Sequence, residues 1–171
     1  MRRDLEKSRR NRSMVNYEQA RQLGILFDAG KPENVTFVEG FRKQLEEEGK
    51  KVFVLGYVDK KHLPSQLIHQ LRVSYCLRRD FSWNLRPRSH FLQQFVKREY
   101  DILMDLSAPE QLPMKYLAAV SPSRFKVGAY HEGYLAIFDL TMQVDPGCTA
   151  AELAKHCIHY LKIIKTPNAH D

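Results

Sequence analysis

The chain has 171 residues, of which 43% are hydrophobic, so it can bury a core of its own as one domain, and global disorder is excluded. Its net charge is +7, no apolar run approaches the roughly 18 residues of a membrane span, and no apolar segment follows the basic N-terminus as a secretory signal requires. The cysteines form no C-x-x-C motif, so we expect free thiols in a reducing cytoplasm.

The positive charge is confined to two segments. Residues 1–13 contain six lysines and arginines against two acidic residues, and residues 72–98 contain seven against one, while the rest of the chain is net acidic. A confined basic patch is typical of a protein that binds a polyanion, although a solvated basic surface without a specific partner carries the same charge. The first segment is too polar to fold alone, so we predict a basic arm over 1–15 and one domain over 16–171.

Short apolar runs alternate with amphipathic segments after the arm, as buried strands and helices do. In chain order, the predicted elements are a strand at 23–29, a helix at 33–48, a strand at 51–58, a short helix at 63–71, a strand at 73–77, a helix at 89–100, a strand at 101–107, a helix at 112–120, strands at 124–130 and 135–144, and a helix at 149–164. Pro32, Gly49 and the Thr149–Glu152 capping box mark helix ends.

This alternation predicts an α/β fold with helices on both faces of a mostly parallel sheet of five or six strands. Right-handed crossovers then leave a Rossmann-like or a flavodoxin-like three-layer arrangement. In either arrangement ligands bind outside the carboxyl ends of the strands, where Asp28, Asp105 and Ser107 follow predicted strands. These three residues form our candidate ligand crevice.

The usual catalytic and cofactor motifs are missing from this crevice. The turn after the first strand reads DAGKPEN, so neither a dinucleotide-binding glycine motif nor a P-loop is present, and no glycines flank Ser107 as in a nucleophile elbow. The spacing of Cys148, His156, Cys157 and His159 matches no common zinc pattern. We therefore assign no catalytic residue, no cofactor and no metal.

The segment CLRRDFSWNLRPRSH, 76–90, combines arginines with aromatic residues. Bases stack on aromatic rings and arginines neutralise phosphates, so this composition suits RNA binding. Aromatic residues in loops more commonly pack on a core, so we expect Phe81 and Trp83 to plug the core, with Trp83 also the candidate for base stacking. The predicted RNA contacts are Arg2, Arg3, Lys7, Arg9, Arg10, Arg12, Arg78, Arg79, Trp83, Arg86 and Arg88.

The order of the stretches NYEQARQLGILFDA, RRDFSWNLRP, REYDILMDLS, PMKYLAAVSPSRFKVGAY and DLTMQV is similar to that of an uncharacterised family of small bacterial α/β proteins, over most of 16–145. This resemblance implies a fold and no activity. More locally, EYDILMDLS and LAAVSPSRFKVG resemble a stretch of heptosyltransferase-like GT-B glycosyltransferases, over only about 30 residues, and the chain is half the length of a two-domain glycosyltransferase.

Three functions follow from these observations. We expect a non-catalytic, RNA-associated protein of the bacterial cytoplasm, with ribosomal RNA or the ribosome as its partner. The first alternative is a small-molecule-binding or glycosyltransferase-like domain that uses the crevice, with Arg86 beside it. The second alternative is a protein-interaction module that uses the last predicted helix, 149–164.

Overall fold

One open sheet of six parallel strands forms the centre of the protein, which we describe from a computed structural model over residues 10–68 and 72–165. The strands are β1 (Gln22–Asp28), β2 (Lys51–Val58), β3 (Val73–Leu77), β4 (Ile102–Asp105), β5 (Phe125–Ala129) and β6 (Leu140–Met142). The helices are α1 (Pro32–Glu47), α2 (His90–Lys97), α3 (Leu112–Val120) and α4 (Ala150–Ile163). The predicted alternation of strands and helices is confirmed.

The strands lie side by side in the order β3-β2-β1-β4-β5-β6. This is the order of the Rossmann fold, whereas a flavodoxin-like sheet places β1 between β2 and β3. The sequence predicted either arrangement, and the structure has the first. Because the order reverses between β1 and β4, the loops that follow these two strands border the switch point, where sheets of this class bind ligands.

Two helices cover each face of the sheet. On one face α1 and α4 bury Val38, Leu45 and Leu161 against the strands. On the other face α2 and α3 bury Leu92 and Leu117 in a second core cluster. These three layers confirm the predicted fold class and leave the two edges where strands end as the places where loops gather.

Helix ends are formed by the residues that the sequence suggested. Pro32 is the first residue of α1, where its missing N–H removes no helical hydrogen bond. Gly49, just after α1, has a φ of +80°, which glycine adopts without strain. At the start of α4, the Thr149 side chain accepts a hydrogen bond from the Glu152 N–H, and the Glu152 carboxylate accepts one from the Thr149 N–H. The predicted capping box is therefore confirmed.

Two predicted elements are longer than the real ones. The strand predicted over 135–144 is confined to β6, because Phe138 folds its ring so closely against Gly128 of β5 that no larger residue fits there. The helix predicted over 89–100 is also shorter in the structure, where α2 ends at Lys97. Beyond it, Tyr100 is fully buried in the second core cluster, which pulls the chain out of the helical path.

Two local predictions near these elements also differ from the structure. Of the helix predicted over 63–71, the described residues form a 3-10 turn at Ser65–Leu67, and 69–71 lie outside the described residues. Ser89 precedes α2 as expected, but its side chain makes no capping hydrogen bond.

The described part of the predicted arm is docked on the domain. Arg10 donates two hydrogen bonds to the carboxylate of Asp139, at 2.6 and 2.7 Å, and the two side chains are only 8% and 9% exposed. Arg12 donates to the same carboxylate at 2.7 Å, and Val15 is buried. Residues 10–15 of the predicted arm therefore pack on the domain, where the side chain of Arg10 is buried and that of Arg12 reaches Asp139 from the surface.

Lys126 of β5 is a buried cation beside this ion pair. Its side chain is 2% exposed, and its Nζ donates to the carbonyl oxygen of Ala119 near the end of α3 at 3.1 Å. Burial and repulsion from Arg10 lower the pKa of Lys126 to about 7, despite the opposing effect of Asp139. An unfolded lysine titrates near 10.5, so the unfolded chain binds more protons than the native one between these two values, and the stability of the native state rises with pH across that window.

Replacement of this cation by an apolar side chain should stabilise the protein. We expect Lys126→Met to raise the free energy of unfolding at neutral pH by about 1–4 kcal/mol and to flatten its rise towards alkaline pH. Urea unfolding followed by circular dichroism at about pH 7 and about pH 9 measures both effects. Lys155→Met, on the exposed face of α4, is the control. A Lys126→Met variant with the wild-type pH slope would contradict the prediction.

Candidate functional site

A short hairpin follows β3 and carries the arginine-rich segment. Phe81 and Pro87 form an antiparallel bridge between its two arms. The two arms are also joined where the hairpin begins, because the backbone carbonyl oxygen of Asp80 accepts a hydrogen bond from the Arg88 N–H at 2.8 Å. We call residues 78–88 the arginine hairpin.

The two aromatic residues of the arginine hairpin have opposite environments. Phe81 is 4% exposed and packs edge-on against Tyr57, with ring centroids 6.2 Å apart, so its predicted role as a core plug is confirmed. Trp83 is 90% exposed near the tip of the hairpin, and the prediction that it plugs the core is therefore wrong. An indole left in water by an ordered hairpin is an aromatic surface available to a ligand.

The backbone that presents Trp83 is strained. Leu85 has a φ of +65°, the left-handed region that a side chain other than glycine occupies at a cost of about 1–3 kcal/mol. Leu85 is half-buried against the second core cluster, and this packing holds the unusual turn in place. Strain of this kind is concentrated at ligand sites, which marks the tip of the hairpin for function.

The arginine hairpin also carries four arginines. The side chains of Arg78, Arg79, Arg86 and Arg88 are all exposed. Within residues 10–68 and 72–165, neither Arg79 nor Arg88 has an acidic partner, so their guanidinium groups remain available to an anion. The hairpin therefore combines an aromatic face with uncompensated positive charge.

A cleft of about 480 Å³ opens next to the hairpin, at the switch point of the sheet. We call it the first cleft. Its charged walls come from the loops after β1, β2, β3 and β4, and the hairpin adds an apolar side chain. The wall residues include Asp28, Lys31, Asp59, Arg78, Leu85 and Glu110. Asp28, a predicted crevice residue, is thus placed at an open cleft as the strand ends suggested.

Hydrogen-bonding groups in the first cleft are partly unsatisfied. The hydroxyl of Tyr57 donates to Asp59 Oδ1 at 3.1 Å. Burial and the Asp59 carboxylate raise the pKa of Tyr57 to about 12, so this hydroxyl stays protonated at neutral pH. Among the described residues, no protein group occupies the other oxygen of Asp59, and Gln111 Oε1 in the same wall is buried without a partner. The cleft therefore offers acceptors to a ligand.

Asp105 and Ser107 form a buried cluster with Lys115 rather than an open site. Lys115 Nζ lies 2.7 Å from Asp105 Oδ2 and donates to Ser107 Oγ at 2.9 Å, while Ser107 Oγ donates to Asp105 Oδ1 at 2.5 Å. The three residues are 0%, 1% and 2% exposed. This cluster ties α3 to the end of β4, and it corrects the expectation that Asp105 faces a crevice.

A second cleft, of about 580 Å³, lies on the other side of the loop after β4. Ser107 contributes to its wall despite being almost buried, and Lys31 and Glu110 border both clefts. The second cleft otherwise gathers polar and aromatic side chains from the loops after β5 and β6, namely Tyr130, His131, Tyr134, Asp145 and Cys148. The loop after β4 is thus a partition across the switch point.

The structure does not bring all the predicted site residues together in one site. The hairpin brings four arginines and Trp83 together, whereas Arg86 lies outside the described walls of both clefts. Lys115 was missed, although a single lysine within the apolar helix sequence LPMKYLAAV is a signal of a buried cation. The predicted contacts Arg2, Arg3, Lys7 and Arg9 lie outside the described residues.

The part of the chain that the structure describes has neither a membrane-spanning helix nor a cluster of metal ligands. In residues 10–68 and 72–165, no helix has both the length and the apolar character needed to cross a membrane. No group of three or more histidine, cysteine, aspartate or glutamate side chains in the same ranges is arranged to hold a metal ion.

The strand order and the loops at the switch point define an α/β protein of the Rossmann-like class. A comparison with protein families matches residues 1–164 to a family of unknown function (DUF6913), and the chain belongs to that family. This result confirms the resemblance to an uncharacterised family. Comparisons with curated proteins and with solved structures find no match.

Proposed function

We propose that the protein binds single-stranded RNA through the arginine hairpin without catalysing a reaction on it. The observation that carries the proposal is the 90% exposed Trp83 on an ordered, strained hairpin between exposed arginines. Stacking on an aromatic face requires bases that are not paired, which favours single strands over duplexes. The partner we propose is ribosomal RNA in the bacterial cytoplasm, since RNA is the most abundant large polyanion there.

The surrounding charge supports an RNA partner over a protein partner. An apolar docking surface would place other exposed hydrophobic residues around Trp83, whereas its hairpin carries Arg79 and Arg88 instead. The protein-interaction alternative used the last helix, but Leu153, Cys157 and Leu161 of α4 are buried in the core. That helix therefore offers a partner only its outer, mixed surface.

Small-molecule binding remains a second candidate function because two clefts border the switch point, with volumes of about 480 and 580 Å³. Both volumes lie within the roughly 300–1,000 Å³ of ligand sites. The glycosyltransferase-like likeness belongs to this candidate and stays a prediction. A small ligand that saturates the protein with an affinity independent of Trp83 would favour it over RNA binding.

Removal of the indole should weaken RNA binding. We expect Trp83→Ala to lower the affinity for single-stranded RNA by about tenfold or more, because base–aromatic stacking contributes about 1–3 kcal/mol per base. Fluorescence anisotropy with a labelled oligonucleotide measures the affinity. Trp83 is the single tryptophan of the chain, so quenching of its intrinsic fluorescence by unlabelled RNA reports stacking directly. Binding with neither quenching nor an effect of Trp83→Ala would contradict the proposal.

The arginines of the hairpin should appear in the salt dependence of binding. For single strands the slope of log affinity against log salt is about −0.7 per phosphate contact, so Arg79→Gln with Arg88→Gln should make it shallower by about 1.4. Lys43→Gln with Lys155→Gln is the matched control, since it removes the same charge from α1 and α4 on the opposite face. Equal slopes for the two double variants would show that binding is not located at the hairpin.

A further inference from the structure

The first cleft and the arginine hairpin form one continuous surface. Leu85, two residues from Trp83, lies in the wall of the cleft, and Arg78 at the base of the hairpin lies there too. A strand of RNA stacked on Trp83 therefore passes the mouth of the cleft. Its volume of about 480 Å³ falls within the range of small-ligand sites, which gives room for a part of that strand.

The arginine hairpin and the first cleft differ in charge, and this difference determines which part of a bound RNA strand can enter the cleft. The hairpin is strongly basic, whereas the cleft wall has Asp28, Asp59 and Glu110 against Lys31 and Arg78. Carboxylates repel phosphate groups, so the phosphates of a bound strand stay on the arginine side. The acidic cleft therefore accepts the uncharged ribose and base of a nucleotide rather than its phosphate.

The loop after β1 also argues against a phosphate in the cleft. Helix α1 begins with Pro32, which has no N–H, and Glu33 follows in its first turn. The N–H of Asn34 is already bonded to the carbonyl oxygen of Lys31 at 3.1 Å. A helix end that binds phosphate needs free N–H groups and no nearby negative charge, so this end is unsuited to the diphosphate of a dinucleotide.

Asp59 stands where Rossmann-like proteins bind a ribose. It follows β2 directly, and an acidic residue near the end of that strand accepts hydrogen bonds from ribose hydroxyls in this class of sheet. One oxygen of its carboxylate is held by Tyr57 at 3.1 Å, which orients the group. The other has no protein partner within the described residues.

We propose that the first cleft holds one unstacked nucleoside of the bound RNA, with the carboxylate of Asp59 accepting a hydrogen bond from the ribose 2′-hydroxyl. This inference rests on the proposed function. The base of that nucleoside packs against Leu85, and its flanking phosphates lie on the arginine hairpin. A 2′-hydroxyl distinguishes RNA from DNA, so the cleft gives the protein its preference for RNA.

The test compares one mixed-sequence single strand made in three forms, as RNA, as DNA with deoxyuridine, and as 2′-O-methyl RNA, so that the bases are identical. Anisotropy titrations should give RNA an affinity about tenfold higher than that of either other form, because both lack the 2′-hydroxyl donor. In Asp59→Ala the three affinities should converge. Asp59 is exposed, so its removal leaves the core intact. Glu47→Ala, an exposed carboxylate on α1, is the control and should keep the wild-type ratio.

The outcomes separate this inference from the proposed function. If Asp59→Ala keeps the wild-type RNA-to-DNA ratio while Trp83→Ala loses affinity, the nucleoside site is overturned and RNA binding at the hairpin stands. Equal affinities of the wild type for the three forms also overturn the nucleoside site. If none of the strands binds at low salt, both proposals are overturned together.

Discussion

Lys115→Met should lower the free energy of unfolding by about 3–5 kcal/mol, since it leaves the Asp105 carboxylate buried without its cation. The pair is fully enclosed, with 2.7 Å between Lys115 Nζ and Asp105 Oδ2, and the lysine also satisfies the hydroxyl and carbonyl oxygens of Ser107. For a chain of this size, the midpoint of thermal unfolding should fall by roughly 6–20 °C. Circular dichroism is the appropriate probe, because the exposed Trp83 changes its environment little on unfolding.

A double variant separates the lost ion pair from lost packing. We expect Asp105→Asn combined with Lys115→Met to recover much of the stability, because the amide keeps a hydrogen-bonding partner for Ser107 without an unpaired charge. Lys155→Met on α4 should stay within about 0.5 kcal/mol of the wild type, as exposed substitutions do. A single Lys115→Met variant as stable as this control would show that the cluster does not hold α3 to β4.

The fold could be predicted because its signals are local. Each buried strand is a short apolar run, and the starts of α1, α3 and α4 carry a proline or a capping box in the sequence. Strand order is different, because it depends on which face each crossover takes, and the sequence left two arrangements open. The length of β6 was overestimated because it also depends on tertiary packing. Phe138 has a strong β propensity, but tertiary packing against Gly128 uses it outside the strand.

The candidate site could be predicted only in part. Strand ends placed Asp28 at the switch point correctly, since the carboxyl ends of parallel strands share an edge. The same rule placed Asp105 there, and it failed because it takes no account of Lys115 from the next helix, which draws the carboxylate into the core. Trp83 was misassigned because the tendency of aromatic residues in loops to pack on a core does not tell which side of a hairpin faces that core.

Charge in the sequence was similarly ambiguous. Arg10 and Arg12 belong to a run that is typical of a polyanion-binding arm, yet both contact Asp139, which lies far along the chain. A contact over such a separation leaves no pattern within a local window. Arg79 and Arg88 of the hairpin have no acidic partner within residues 10–68 and 72–165, and this difference makes the hairpin the better candidate for RNA.

Asp139→Asn is expected to destabilise the protein by about 3 kcal/mol, because one carboxylate compensates several cations. It is bonded to Arg10 and Arg12 and accepts a hydrogen bond from the Lys126 N–H at 2.8 Å. Burial raises the pKa of Asp139, but these hydrogen bonds outweigh it and hold the pKa below its usual value of 3.8. The unfolded chain therefore binds the proton first as the solution is acidified, and the stabilisation is lost as the pH falls through the lower native pKa.

Acid unfolding provides the measurement for this carboxylate. The wild type should lose stability below about pH 4 more steeply than Asp139→Asn, which has no proton to bind at that position. Arg10→Ala should destabilise nearly as much as Asp139→Asn, whereas Arg12→Gln should cost less than about 1 kcal/mol because Arg12 is 60% exposed. This ranking follows from burial alone. If Arg10→Ala and Arg12→Gln were equally mild, Asp139 would not anchor residues 10–15, and the cations of that segment would be available to an external polyanion after all.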